Sequence, residues 1–271
     1  MRKYLFLLLL LPLAACVDKS EQSAKMLLDT GYRLAEEGNF QSARIVLDSL
    51  HNTYPKCVDV RRVAKSLEDS MEYVEAKRTM LYADSLLQPL LKESDVLLKS
   101  FSYEKNEKYE DAGKYVHRLL RTGSNSSRCY LQAYVTDNRE TIVKSYYCGS
   151  AMLLQSIVCL ESQNEQYRSA GRLHSFEAGD YHSILTMEED KALSVLNFIS
   201  MHCGDRLRVV LEGTNKKGNA TTYTYYLSDS EKKALEDTYK LGVVMKDIKS
   251  LEDMLRISRA RVEKYENKYM L

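Results

Sequence analysis

Histidines, cysteines, serines and carboxylates are all present in this chain, but their spacing assembles little chemistry. His51, His117, His174, His182 and His202 never pair at the three- or four-residue interval that sets two ligands on one helical face, and HExxH is absent. His117, beside Tyr115 and near Lys114 and Arg118, reads as a partly exposed helix histidine. His174 and His182 would meet across a hairpin centred near 178. A metal there would need a third ligand, and only Glu177 and Asp180 lie close in sequence. GxSxG, a glycine-rich phosphate loop and CxxC are also missing. The expectation is no catalytic residue, no metal and no cofactor. The alternative is an enzyme whose carboxylates converge only in space.

The one cysteine in a chemically telling context is Cys16. Met1-Arg2-Lys3 precedes an apolar run from Leu5 to Leu13, then Ala14-Ala15-Cys16. A short basic start, an apolar core too short to span a bilayer and small residues before a cut site describe a secretory signal over 1–15. Leu13-Ala14-Ala15-Cys16 resembles the lipobox of bacterial lipoproteins. That resemblance implies diacylation of the Cys16 thiol, cleavage before it and acylation of the new amino group. Two or three acyl chains, at about 0.8 kcal/mol per buried methylene, anchor stably. Val17, rather than aspartate, follows the cysteine, which by the lipoprotein sorting pattern implies an outer-membrane address in a Gram-negative envelope. No later apolar run is long enough to span.

Five further cysteines, Cys57, Cys129, Cys148, Cys159 and Cys203, make an odd count, so export permits disulfides yet leaves at least one thiol unpaired. Register singles out one pair. A hairpin loop over Asp137–Glu140 sets Val135 opposite Ile142, Ala133 opposite Lys144, Leu131 opposite Tyr146 and Cys129 opposite Cys148. A cross-strand disulfide is then possible, against two reduced thiols in a sheet. A three-residue loop would shift the register and separate the sulfurs.

Composition narrows the class. Removing residues 1–15 takes away Arg2 and Lys3 and no acid, leaving 37 basic and 38 acidic residues. Such a balance carries no nucleic-acid footprint. There is no tryptophan, five phenylalanines and 20 tyrosines, so tyrosine either packs the interior or offers a surface with apolar rings and polar tips.

The elements that must hold these residues change period along the chain. After a lipidated tether over 16–22, a helical region over 23–127 opens with residues 24–57, which resemble one tetratricopeptide unit. Gly31, Ala43 and Pro55 occupy its eighth, twentieth and thirty-second positions, while Leu50 departs from the usual alanine. Helices are expected over 22–37 and 40–53. A long helix then runs from Val58 to about Lys105, with Val60, Ala64, Leu67, Met71, Val74, Leu81, Leu86, Leu90 and Leu97 near one stripe. Pro89 should kink or split it. Tyr109–Leu120 reads as a short helix and 122–127 as a loop. Period-two runs then describe an antiparallel β-domain over 128–227 with one inserted helix, opened by a capping box at Thr186–Glu189. A second box, Ser228-Asp-Ser-Glu231, starts a terminal helix over 228–271. Its heptad seam is Leu241, Val244, Ile248, Leu251, Leu255, Ser258, Val262, Tyr265 and Tyr269. That seam packs on the 58–105 helix or forms a homodimeric coiled coil. The fold class is α+β.

The order of lipobox, helical region, Phe101-x-Tyr103-Glu-Lys-x-Glu-Lys-Tyr109-x-Asp, Tyr115-Val-His117, β-domain and terminal coiled helix resembles an uncharacterised group of Bacteroidetes-type lipoproteins. The resemblance implies an address and an architecture, without an activity. The expected function is a membrane-anchored binding or scaffold module for a protein or glycan partner. The alternative is an envelope hydrolase acting on cell-wall or polysaccharide substrates.

Overall fold

The computed structural model describes residues 12–108, 112–120, 128–178 and 180–269. It is an α+β protein whose residues group into two compact units. The first unit holds residues 1–84 and 253–271, the second 85–252. Three elements begin the first unit: α1 (Pro12–Glu36), α2 (Phe40–Thr53) and α3 (Val58–Leu98), of which α3 continues into the second unit.

The tetratricopeptide-like stretch forms the expected helical hairpin. A Cβ on Gly31 would sit 2.7 Å from Leu47 Cδ2, so glycine admits the neighbouring helix. Ala24, Leu28, Ala43, Leu47 and Leu50 then close a core with Val60, Ala64, Leu67 and Met71 of α3. Asn39 caps α2 by accepting a hydrogen bond from the Ser42 amide (3.3 Å). Residues 16–22 are helical backbone within α1. No proline or glycine follows Pro12 until Gly31, and Lys25 pairs with Glu21 one turn earlier (2.9 Å).

The terminal helix α5 (Asp229–Tyr269) packs back on α3 within one chain, the first of the two arrangements expected for its seam. Leu241, Val244, Ile248, Leu251, Leu255, Ser258, Val262 and Tyr265 are all buried. In the first unit the seam is edged with polar contacts: Tyr73 Oη donates to Glu266 (3.1 Å), Tyr265 to Glu72, and Lys268 and Tyr269 (2.7 Å) to the buried Asp69. The α3 stripe drifts from its sequence reading. Ala76, Ala83, Leu87 and Ser94 are buried, whereas Leu81 (68% exposed) and Leu86 (40%) face outward. A straight helix drifts about 20° per heptad against a strict seven-residue repeat, so one stripe read along a 41-residue helix slides off the buried face. Pro89 lies inside α3 without dividing it.

Among its described residues, the second unit carries ten strands in two antiparallel sheets. β1 (Phe101–Glu104), β2 (Lys114–His117), β3 (Tyr130–Thr136), β4 (Thr141–Gly149), β7 (Arg172–Ala178) and β8 (Asp180–Glu188) form one, in the order β1-β2-β3-β4-β8-β7. β5 (Leu154–Glu161), β6 (Gln166–Ala170), β9 (Arg208–Thr214) and β10 (Ala220–Tyr226) form the other, in the order β10-β9-β5-β6. Helix α4 (Glu189–Met201) packs on β4 and β8, and Val195, Leu196 and Ile199 join Leu131, Val143, Leu185, Val158 and Leu211 in one core.

Two boundaries move. The β-domain begins at Phe101 rather than 128, because β1 and β2 pair with each other and then with β3. The expected helix over Tyr109–Leu120 is therefore overturned at Lys114–His117; its residues 109–111, like the expected loop at 122–127, lie outside the described residues. Tyr115 and Val116 suit a pleated surface, and the free edge of β3 supplies the pairing that a short isolated helix lacks. The second correction is at Thr186, which belongs to β8 and pairs with Lys144 and Arg172. Helix α4 opens from Glu188 without a side-chain cap. By contrast the Ser228 box forms: the Glu231 amide donates to Ser228 Oγ (3.3 Å) and the Ser228 amide to Glu231 (2.9 Å).

Candidate functional site

The β3–β4 turn folds tighter than expected. The Thr136 amide donates to the Glu140 carbonyl (2.8 Å) and the Arg139 amide to the Thr136 carbonyl (2.9 Å), so the loop spans residues 137–139 with Arg139 left-handed at φ +64°. Its guanidinium grips Glu252 of α5 through Nε (2.9 Å) and Nη2 (2.6 Å). This turn, the start of α4 and α5 enclose a cavity of about 220 Å³, lined by Arg139, Glu140, Thr141, Glu189, Asp190, Leu193, Lys246 and Lys249.

The other left-handed non-glycine among the described residues is Glu189, at φ +52°. Both such residues therefore line this one cavity. Each costs about 1–2 kcal/mol, and strain of that kind concentrates at sites that hold something in place. Lys246 reaches Asp190 (2.6 Å) and Lys249 reaches Glu140 (3.2 Å). The Asp190 hydrogen bond holds Lys246 above the ordinary lysine range, so it stays an ammonium rather than a nucleophilic amine. The lining contains no histidine, cysteine or serine. Three cations and three carboxylates line it together with Thr141 and Leu193, a composition suited to hydrogen bonding with a polar surface. Nothing local in the sequence marks it, because its residues come from a turn, a helix start and a helix more than 50 residues away.

The histidines are dispersed. His117, expected on an exposed helix, sits buried on β2. Its Nδ1 accepts the Leu119 amide (3.3 Å), leaving Nε2 toward Asp237 (3.5 Å), and burial lowers its pKa despite that carboxylate. The ring braces β2 against α5 and has no free lone pair to act as a base. His174 faces Ile184, not His182; Phe176 is opposite His182 and stacks on it at 4.8 Å. His51 contacts Arg61 and Glu68, and His202 Nδ1 meets Asp205 (2.9 Å) with Glu165 near its Nε2 (3.3 Å). Among the described residues, no group of three metal-ligating side chains converges.

Cys16 falls within the backbone of α1. The turn shifts the β3–β4 register by one residue: Tyr130 faces Tyr146 and Val135 faces Thr141. Cys129 therefore shares a face with Leu131 and Ala133, while Cys148 lies on the opposite face with Lys144 and Tyr146. The expected cross-strand pair is replaced by a contact of Cys129 Sγ with the Cys148 backbone, at 3.5 Å from both amide and carbonyl. All five described cysteines after Cys16 are unbonded. Burial pushes the Cys129 and Cys148 thiols up.

Tyrosine serves both purposes foreseen for it. Tyr130 and Tyr146 stack at 4.5 Å, and burial, followed by the Tyr146 neighbour, pushes the Tyr130 hydroxyl up to about 12. Lys114 and Lys144 approach the Tyr134 ring at 5.7 and 5.5 Å. Along β10, however, tyrosines reach the surface: Tyr223 is 41% and Tyr226 48% exposed, with the Arg206 guanidinium 4.1 Å from the Tyr226 ring. Compared with known proteins, the chain matches no family model, no curated protein and no solved structure.

Proposed function

We propose that this chain is an exported lipoprotein, anchored through Cys16 to the envelope, whose folded part is a binding or scaffold module for a protein or glycan partner. The address rests on the basic start, the apolar run and Leu13-Ala14-Ala15-Cys16. The observation that carries the binding reading is β10, Ala220-Thr-Thr-Tyr-Thr-Tyr-Tyr226: an outer strand with exposed tyrosine and threonine side chains and no charge. Tyrosine offers contact area at small entropic cost, and such surfaces suit recognition. A hydrolase reading is less favoured, because two of the three carboxylates lining the cavity already hold lysines.

Two measurements test this. Cys16→Ser should block acylation and release the chain from the membrane fraction; a Cys16→Ser protein that matures and partitions into detergent like wild type overturns the anchor. A photo-crosslinking residue at Thr224 in intact cells should capture a partner more than one at the exposed Arg62. Equal capture at both positions overturns β10 as the binding surface.

A further inference from the structure

We infer that β10 pairs with β10 of a second copy of this chain, antiparallel about a two-fold axis at Tyr223, so that the four-stranded sheet continues from one copy into the next. This deepens the binding reading and rests on β10 being the interaction surface.

Among the described residues, the two sheets present four edges: β1 and β7 on one, β10 and β6 on the other. An edge strand offers a row of backbone donors and acceptors that an extended polypeptide completes, and chains protect such edges with charge or proline. Three edges are protected in that way. β1 ends in Glu104, β6 carries Arg168, and β7 carries Arg172 and Glu177. β10 carries neither charge nor proline over its seven residues, and it is built from threonine and tyrosine, the types that pair best across strands. The ligand chemistry that fits is therefore a strand, not a sugar.

Self-pairing follows from the strand's own sequence. Tyr223 is its middle residue, so placing the axis there engages all seven positions and sets Thr222 against Thr224, Thr221 against Tyr225 and Ala220 against Tyr226 of the other copy. Every cross-strand pair is threonine–threonine, aromatic–aromatic, aromatic–threonine or aromatic–alanine, and none places like charges together. The outward face does carry charge, but already neutralised within the copy: Arg168 with Glu212, and Arg208 with Glu161 (2.6 Å). A two-fold strand pairing uses the edge of both copies and closes on itself, giving a dimer rather than a fibre. The contact is narrow, a strand about 24 Å long, so the dimer is weak in dilute solution and strengthened where anchors confine copies to one membrane.

The test is a photo-crosslinking residue at Thr224 of the full chain in intact cells, with sedimentation equilibrium of the purified mature chain. The expected product runs at twice the chain mass, and its crosslinked peptide maps to β10 of the other copy. Sedimentation should show a concentration-dependent dimer that Thr222→Lys with Thr224→Lys abolishes while the circular dichroism melt is retained. A crosslink to a different molecule overturns the second copy as occupant and leaves the binding reading intact. No crosslink above the Arg62 control overturns both. A dimer that survives the lysine variants, or crosslinks outside β10, overturns the pairing proposed here.

Discussion

Gln155 Nε2, on β5, donates to both the carbonyl oxygen (2.8 Å) and the hydroxyl (3.1 Å) of Ser183, on β8 in the other sheet. The same amide nitrogen lies 3.2 Å from the Ser145 carbonyl, and Ser145 Oγ donates to Gln155 Oε1 at 2.7 Å. All three residues are buried, with Gln155 only 1% exposed. A bulge between Gln155 and Ile157 turns this side chain inward. The sheets thus meet through a satisfied polar clamp set in an apolar core, an arrangement that specifies one alignment among many greasy ones.

Gln155→Leu keeps the volume but strands the serine hydroxyls and carbonyls. The expected cost is about 2–3 kcal/mol, from buried groups left without partners. The urea midpoint measures it. Adding Ser145→Ala and Ser183→Ala to Gln155→Leu should recover part of the loss; a triple variant less stable than the single one would show that the clamp is not the source.

The same substitution should act oppositely at two glycines. A Cβ at Gly213 would lie 1.9 Å from the Leu154 carbonyl oxygen, in the ladder next to the bulge, whereas one at Gly204 meets nothing within 4 Å. Gly213→Ala should destabilise by roughly 3 kcal/mol, near the upper end for overpacking. Gly204→Ala should be neutral or stabilise by about 0.5 kcal/mol through the unfolded chain. Thermal unfolding of the two proteins side by side distinguishes them.

Asp69 links pH to the stability of the helical unit. Burial alone would raise its pKa, but the hydrogen bonds from Lys268 and Tyr269 outweigh burial and hold it below the usual 3.8. A depressed folded pKa means stability that is present above the unfolded value and lost as pH falls through the folded one. Helical signal should therefore weaken below about pH 4. Asp69→Asn should flatten that dependence and lower stability at neutral pH by about 1–2 kcal/mol, a charge-assisted bond discounted for the half-exposed Lys268. An acid profile identical in wild type and Asp69→Asn would exclude this residue.

For the cysteines, a non-reduced tryptic digest should yield no linked peptide joining Cys129 and Cys148. In the folded protein, alkylation at neutral pH should be slow at both, because burial raises both thiols, and slowest at the more buried Cys129. A linked pair would require the other register.

Features controlled by local spacing could be read directly from the residues. The Ser228 box, the α5 seam from Leu241 to Tyr265 and the Gly31–Ala43 pair were legible because each depends on residues within a few turns of one another. So was the antiparallel β-domain expected over 128–227, though not the two strands before it. The remaining features depend on contacts between distant segments. Whether Lys114–His117 is helix or strand depended on an open edge of β3, and Thr186 left its capping box because β4 and β7 pair with it. The one-residue register of the β3–β4 hairpin, and with it the face of Cys148, turned on Arg139 taking a left-handed conformation that its grip on Glu252 helps to hold. Side-chain period in a strand is two, so a single residue in a turn moves every later side chain to the other face. That choice is made by contacts far along the chain, and no window of sequence contains them.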